Sequence, residues 1–151
     1  MNRPAFEPSL KGRALRLLSQ REHSRAELER KLAPHETEPG QLARALDELQ
    51  ARGFISEERV IESLIHRRAS KLGASRLRQE LAAKGLSGEA VAEALEGLRT
   101  TELERAREVW ARKFGTAATE PKERARQIRF LVSRGFAAEV VRRVVQGADD
   151  V

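Results

Sequence analysis

Two stretches of this chain, GLSGEAV at residues 85–91 and GFAAEVV at residues 135–141, carry glycine, glutamate and valine at the same positions, 50 residues apart. In both stretches the glycine follows a Lys or Arg residue and is itself followed by an apolar residue. A small residue then stands two positions before the glutamate. Glycine commonly ends a helix, and an acid is favoured in the first turn of the next one. Residues 52–54, Arg-Gly-Phe, repeat the first half of the pattern. The pattern therefore predicts helical units in tandem, each about 50 residues long.

Apolar residues recur at helical spacing in nine segments, which predicts nine short helices. No alternating apolar run and no Asn-Gly or Asp-Gly turn indicates a strand, and residues 53–55 are expected to form a connector. Ser24, with Glu27 three residues later, predicts a capping box. Ser56 and Ser87 are expected to cap two further helices, the first of which runs to Gly73.

Nine helices of this length cannot each bury a core, so they must be grouped. The predicted fold is all-α, with three tandem three-helix repeats in an extended array, and a single compact bundle is the alternative. The expected division is an N-terminal tail at 1–9, repeats at 10–54, 55–99 and 100–147, and a C-terminal tail at 148–151.

The composition indicates a folded, soluble chain: 40% of its 151 residues are hydrophobic and 34% are charged, with a net charge of +6. The absence of cysteine excludes disulfides and thiolate zinc sites. No apolar run is long enough to span a membrane, and the N-terminus lacks the apolar core of a signal peptide, so a cytoplasmic location is expected.

Motifs for catalysis are missing. No glycine-rich phosphate loop occurs, and His23, His35 and His66 lack the spacing that would put two metal ligands on one helix face. These histidines are expected at the surface or at helix caps. We therefore expect no enzymatic activity, no catalytic residue, no metal and no cofactor.

The net charge conceals patches of alternating sign. Residues 66–84 and 122–134 are strongly basic, whereas residues 87–104 are acidic. Such a pattern suits a bound polyanion or a partner of opposite charge pattern. Arg68 is anomalous, because the helical period places it between apolar Leu64 and Leu72, where a charge must reach water or meet an acid.

The basic residues at 66–84 have two interpretations. They either pair with acids such as Glu62 or Glu80, or form a cationic ridge that faces phosphates or an acidic protein groove. Aromatic residues make up only 4% of the chain, and Phe54, Trp110, Phe114 and Phe136 are expected in cores, so no platform for stacking bases is predicted. Specific DNA reading is disfavoured, whereas non-specific phosphate contact is allowed.

Three segments resemble the RecX family, whose members regulate the RecA recombinase. They are ARGFISEERV at 51–60, GASRLRQELAAKGL at 73–86 and FLVSRGFAAEVV at 130–141, in the family's order, and the likeness extends over residues 10–146. The resemblance implies three tandem three-helix repeats in an elongated, curved body.

The resemblance also implies a function: binding in the groove of the RecA filament on single-stranded DNA, which restrains ATP hydrolysis, strand exchange and co-protease activity. We expect a monomer whose partners are the RecA filament and, through phosphates, single- or double-stranded DNA, with no membrane. The alternative is a general DNA-binding helical protein that acts by competing for DNA. The residues expected to bind partner or DNA are Arg67, Arg68, Lys71, Arg76, Arg78, Lys84, Arg126, Arg129 and Arg134.

Overall fold

The computed structural model describes residues 7–147, and within that range the chain is helical, with no strand. This confirms the predicted all-α class. The helices are α1 (Leu10–Gln20), α2 (Arg25–Leu32), α3 (Gln41–Ala51), α4 (Glu57–Arg68), α5 (Ala74–Ala83), α6 (Glu89–Glu96), α7 (Arg99–Lys113), α8 (Pro121–Ser133) and α9 (Ala138–Gln146), with a 3-10 turn at Ala33–His35 after α2.

The chain divides into a first compact unit that ends at Val60 and a second that begins at Ile61. In the first unit α1 packs against α2 and α3. Their apolar faces form one core, because apolar residues recur on each helix every three or four residues. This core consists of Leu10, Ala14, Leu28, Leu32, Leu42, Leu46, Leu49 and Ile55.

In the second unit α5 packs against α6, and α9 packs against both α7 and α8. Leu77 and Leu81 of α5 and Val91 and Leu95 of α6 are buried. The helices α7 to α9 share a core of their own, which consists of Ala106, Val109, Leu131, Phe136, Val141, Val144 and Val145.

Two of the three predicted serine caps are confirmed. The Ser24 hydroxyl accepts a hydrogen bond from the Glu27 amide at 3.1 Å. In return, Glu27 Oε1 accepts one from the Ser24 amide at 3.1 Å, which completes the capping box. The Ser56 hydroxyl accepts the Arg59 amide at 3.3 Å, at the start of α4. The expectation for Ser87 was wrong: α6 begins at Glu89, and the residue before it is Gly88, which has no side chain to cap the helix.

The prediction that α4 runs to Gly73 was also wrong, because the helix ends at Arg68. Leu72 is buried as expected, but it lies in the turn that follows the helix. Lys71 lies in the same turn, so it does not share a helix face with Arg67. The carbonyl groups of this turn are hydrogen-bonded by arginines of α7, which replace the helical bonds that further turns would supply.

Three side chains differ in burial from expectation. Phe54, expected in a core, is 41% exposed, and Val132, one of the apolar residues whose helical spacing predicts α8, is 50% exposed. Phe54 lies in the connector before α4, where the Arg52 guanidinium lies 5.7 Å from its ring centre, and Leu131 takes the core position beside Val132. His23, expected at the surface or at a helix cap, directly precedes the N-cap Ser24 and is only 1% exposed.

Candidate partner-binding surface

The nine basic residues predicted to bind a partner differ in how much of each side chain reaches solvent. Five are exposed and four are half-buried. The exposed residues are Arg67, Lys71, Arg78, Arg126 and Arg129; the half-buried residues are Arg68, Arg76, Lys84 and Arg134.

Arg68 is held by Glu80 of α5. Its Nε and Nη2 donate to the two carboxylate oxygens of Glu80 at 3.1 and 3.0 Å. Hydrogen bonding to Glu80, and the charge of that carboxylate, raise the pKa of the Arg68 guanidinium. This bidentate pair explains how a charge is tolerated between apolar positions on α4.

Arg76 is also engaged within the chain. Its Nη1 donates to the carbonyl oxygen of Ser133 at 3.0 Å, and its Nε lies 4.0 Å from Glu80 Oε2. Glu80 therefore brings Arg68 and Arg76 together, although they are on different helices. Both guanidiniums form contacts that fix α5 against its neighbours, so they are less available to a partner than exposed cations.

The turn before α5 meets the turn after α8. The Gly73 amide donates to the Arg134 carbonyl at 2.8 Å, and the Ser75 amide donates to the Gly135 carbonyl at 3.2 Å. A Cβ atom at Gly73 would overlap the backbone of Gly135. The second and third repeats therefore touch through backbone at this place, which we call the glycine junction.

Glu102 supports the glycine junction from α7. Its side chain is 8% exposed, and its Oε1 accepts the amide of Ala74, the first residue of α5, at 2.8 Å. Because Gly73 provides no capping side chain, this carboxylate from another repeat satisfies an amide at the start of α5.

Arg105 of α7 binds the turn after α4. Its Nη1 donates to the carbonyl oxygens of Ala69 and Leu72, each at 2.8 Å, and its Nη2 donates to that of Leu98 at 3.2 Å. Burial lowers the pKa of the Arg105 guanidinium, and the negative charge of Glu102 opposes that shift. Two turns further along α7, Arg112 donates from its Nη2 to the Ser70 carbonyl at 2.9 Å.

Sequence reasoning missed Glu102 and Arg105. A signal for Glu102 was present, because it lies one helical turn before buried Ala106 and two turns before buried Val109. A charged residue on an apolar helix face needs a polar partner, and this requirement applies to Glu102 as it does to Arg68. Nothing in the sequence identifies the partner, which is a backbone amide 28 residues away.

The basic run at 122–134 lies on α8 and at its end. Arg126 pairs with Glu123 at 3.4 Å, and its guanidinium lies 5.8 Å from the ring centre of Phe114. Arg134 stacks over Phe130 at 4.5 Å. Arg129 is exposed and forms no hydrogen bond or ion pair within residues 7–147.

Arg67, Lys71 and Arg78 resemble Arg129 in this respect: all are exposed, and in the described part of the chain their side chains have no acidic partner. Lys71 lies at one open cavity with Arg134, which brings two predicted residues together. No hydrogen bond or ion pair among the described residues links Arg78 or Arg129 to the other predicted residues. We call Arg67, Lys71, Arg78 and Arg129 the unpaired cations.

Among residues 7–147, no group of three or more histidine, aspartate and glutamate side chains is placed to hold a metal ion. None of the described helices is long and apolar enough to cross a bilayer.

Comparison with known proteins places the chain in a family. Models of the first, second and third three-helix domains of RecX match residues 11–49, 56–95 and 100–145. These matches, with the helices observed, confirm the prediction of three tandem three-helix repeats.

Relatives and solved structures agree with the domain matches. The regulatory protein RecX of Leptothrix cholodnii is 57% identical over 98% of this chain and 93% of its own length. That of Ralstonia nicotianae is 49% identical over 93% and 89%. The crystal structure of RecX from Lactobacillus salivarius superposes with a TM-score of 0.78 at 18% identity, over 94% of this chain and 96% of that one. The chain belongs to the RecX family of regulatory proteins.

Proposed function

We propose that this chain restrains the RecA recombinase by binding in the groove of the RecA filament on single-stranded DNA. Binding there would slow ATP hydrolysis, strand exchange and co-protease activity. The observation that carries this proposal is the set of unpaired cations, which are exposed on the second and third repeats of a RecX-family chain. Cations without acidic partners are available to a charged surface, and they favour its approach and orientation.

The charge pattern supports a protein filament with DNA inside it over naked DNA. After the cations of α4 and α5 in the chain, helix α6 presents Glu89, Glu93 and Glu96 to solvent. A phosphate backbone would repel these acids, whereas a protein surface of mixed charge can face both signs. The alternation along the repeats is therefore consistent with a partner that carries its own alternating charges.

Such regulation requires no catalysis. A ligand that binds one state of a filament more tightly than another shifts the filament toward that state, by the difference in binding free energy. We propose that the chain acts in this way in the cytoplasm as a monomer, with no cofactor. The residues that we assign to the contact are the unpaired cations, while Arg68 and Arg76 hold the repeats in shape.

The test is the RecA ATPase on single-stranded DNA. A variant with all four unpaired cations changed to serine should need at least about ten times more protein for the same inhibition, because each lost contact removes a favourable charge interaction. The matched control removes four exposed arginines from other helices, Arg16, Arg44, Arg142 and Arg143, and should inhibit like the unaltered chain. Equal inhibition by both variants, or none by the unaltered chain, would contradict the proposal.

The alternative, simple competition for DNA, makes a different prediction. It requires binding to a single-stranded oligonucleotide without RecA, with affinity that falls steeply as salt rises. It also requires that inhibition disappear when DNA is in excess over both proteins. Inhibition that persists in excess DNA would favour contact with the filament.

A further inference from the structure

An open cavity of about 400 Å³ lies on the second unit, where α7 and α8 approach the turn that follows α4. Its volume is within the range of sites that bind small ligands and peptide side chains. Its lining consists of Lys71, Val109, Arg112, Lys113, Phe130 and Arg134. We call this the basic cavity.

The lining charges all have one sign. Four of the six lining residues are cations and none is an acid. Across residues 7–147, no carboxylate forms an ion pair with any of the four. Arg112 donates a hydrogen bond to the Ser70 carbonyl, and the charged groups of Arg134 and Lys113 lie over the ring of Phe130. None of these contacts neutralises a full charge. Several cations around one cavity create a positive potential that favours a bound anion.

The floor of the basic cavity is apolar. Val109 is only 7% exposed, and Phe130 is half-buried against the core of α7 to α9. An apolar floor gains free energy when an aliphatic group displaces water from it. The cavity thus combines an apolar surface with surrounding positive charge.

Phe130 is poorly placed to stack on a nucleic-acid base. The Arg134 guanidinium lies 4.5 Å from its ring centre, the Lys113 ammonium lies 5.4 Å from it, and Phe114 packs against it in a T-shape at 5.4 Å. A base would have to displace at least one of these side chains to reach a ring face. A phosphate backbone alone would contact the cations and leave the apolar floor unfilled.

We propose that the basic cavity binds an acidic peptide segment of a partner protein, in which carboxylates flank one aliphatic side chain. The aliphatic side chain contacts Val109 and the part of Phe130 that Lys113 and Arg134 leave uncovered, and the carboxylates pair with Lys71, Lys113 and the two arginines. This chemistry matches both halves of the cavity, whereas a nucleic acid matches only the charged half. The inference shares Lys71 with the proposed function, but its test does not depend on that function, because the peptide is offered in the absence of RecA and DNA.

The experiment uses the full chain and two synthetic peptides labelled with fluorescein, Gly-Asp-Glu-Leu-Glu-Asp-Gly and the same peptide with serine in place of leucine. Fluorescence anisotropy at moderate salt should show the leucine peptide binding at least tenfold more tightly than the serine peptide. Equal affinity would show that only charge is recognised and would overturn the proposal.

Variants locate the binding. The double variant Lys71→Ser with Lys113→Ser removes two exposed cations of the cavity. It should lower the affinity for the leucine peptide at least tenfold. Arg142→Ser with Arg143→Ser removes the same charge from exposed positions on α9 and should change the affinity less than twofold. A similar loss in both double variants would overturn the assignment to this cavity.

A measurement on the unaltered chain makes the test independent of how the variants fold. With methyl-labelled valine, the leucine peptide should shift the NMR signals of Val109 and leave those of Val132, which is exposed on α8, unchanged. An oligothymidylate of equal charge should not reproduce the Val109 shift. Peptide binding that leaves Val109 unchanged, or an equal shift with the oligothymidylate, would overturn the proposal.

Discussion

Gly73 and Gly135 meet backbone against backbone at the contact between the second and third repeats. A Cβ atom at Gly73 would overlap the carbonyl of Gly135, and one at Gly135 would overlap the backbone and Cβ of Arg76. Gly135 also has a φ of +90°, which side chains rarely adopt. Both positions therefore require glycine, and the requirement comes from a turn distant in sequence.

We expect Gly73→Ala and Gly135→Ala each to lower the free energy of unfolding by about 2–4 kcal/mol, because relief of the overlap would separate the two turns. Denaturant unfolding followed by circular dichroism measures this. Gly97→Ala is the control: its φ is −61° and an added Cβ would make an ordinary contact. That variant should be as stable as the unaltered chain or slightly more so. Equal stability of all three variants would show that the glycine junction tolerates a side chain.

Removing the Glu102 carboxylate should leave the Ala74 amide without its acceptor. We expect Glu102→Ala to cost about 1–3 kcal/mol of stability, the usual penalty of an unsatisfied buried donor. Glu102→Gln should cost less, because its side-chain carbonyl can still accept the bond. Glu104→Ala on the same helix is exposed and should be close to neutral. If Glu104→Ala lost as much stability as Glu102→Ala, the loss would be due to the change in helix propensity and not to the missing hydrogen bond.

Glu80 neutralises two of the basic residues once expected to face a partner. Glu80→Gln should release Arg68 and Arg76 from their carboxylate and increase the affinity for single-stranded DNA several-fold at low salt, with a steeper dependence on salt. The cost in stability should be small, about 1 kcal/mol or less, because the pair is partly exposed. Glu104→Gln removes the same charge elsewhere and provides the comparison. Equal affinity of the two variants would mean that Arg68 and Arg76 stay sequestered.

His23 should make stability depend on pH. Its Nδ1 lies 3.0 Å from the Arg21 carbonyl and its Nε2 lies 3.3 Å from the Lys31 ammonium. We assign the proton to Nδ1, so that Nε2 accepts from Lys31. Burial lowers the pKa of His23 below 6.5, and the positive charges of Arg21 and Lys31 add to this, against a hydrogen bond to Arg21 that raises it.

His23 therefore binds a proton more readily in the unfolded chain than in the folded chain. The contribution of the neutral His23 side chain to the free energy of unfolding is fully present above about pH 6.5, and it is lost as the pH drops toward the folded-state pKa. Thermal unfolding of the unaltered chain and of His23→Gln between pH 5 and 8 measures this. The variant should lose most of the pH dependence in that range, whereas His66→Gln, at an exposed position, should retain it. The same pH dependence in His23→Gln would assign it to other groups.

Much of the fold could be predicted from patterns among residues that are close together in the sequence. The capping box at Ser24, the start of α4 after Ser56 and the helical class depend on residues within a few positions of one another. Local hydrogen bonds and apolar periodicity operate at that range, so the sequence reports them directly. The error at the end of α4 arose from a distant contact, because Arg105 binds the carbonyls that a longer helix would use itself.

The candidate site shows the same division. Sequence alone determined the helices, the 50-residue repeat and the basic runs, because composition and period are properties of neighbouring residues. Which cations stay available was decided only by tertiary structure. Arg76 reaches a carbonyl 57 residues away and Arg68 a carboxylate 12 residues away, while Lys71, beside them in sequence, has no acidic partner among the described residues. A guanidinium pairs with whichever acceptor the packing brings within 3 Å or so, and that distance is set by how the helices dock and not by the order of residues along them.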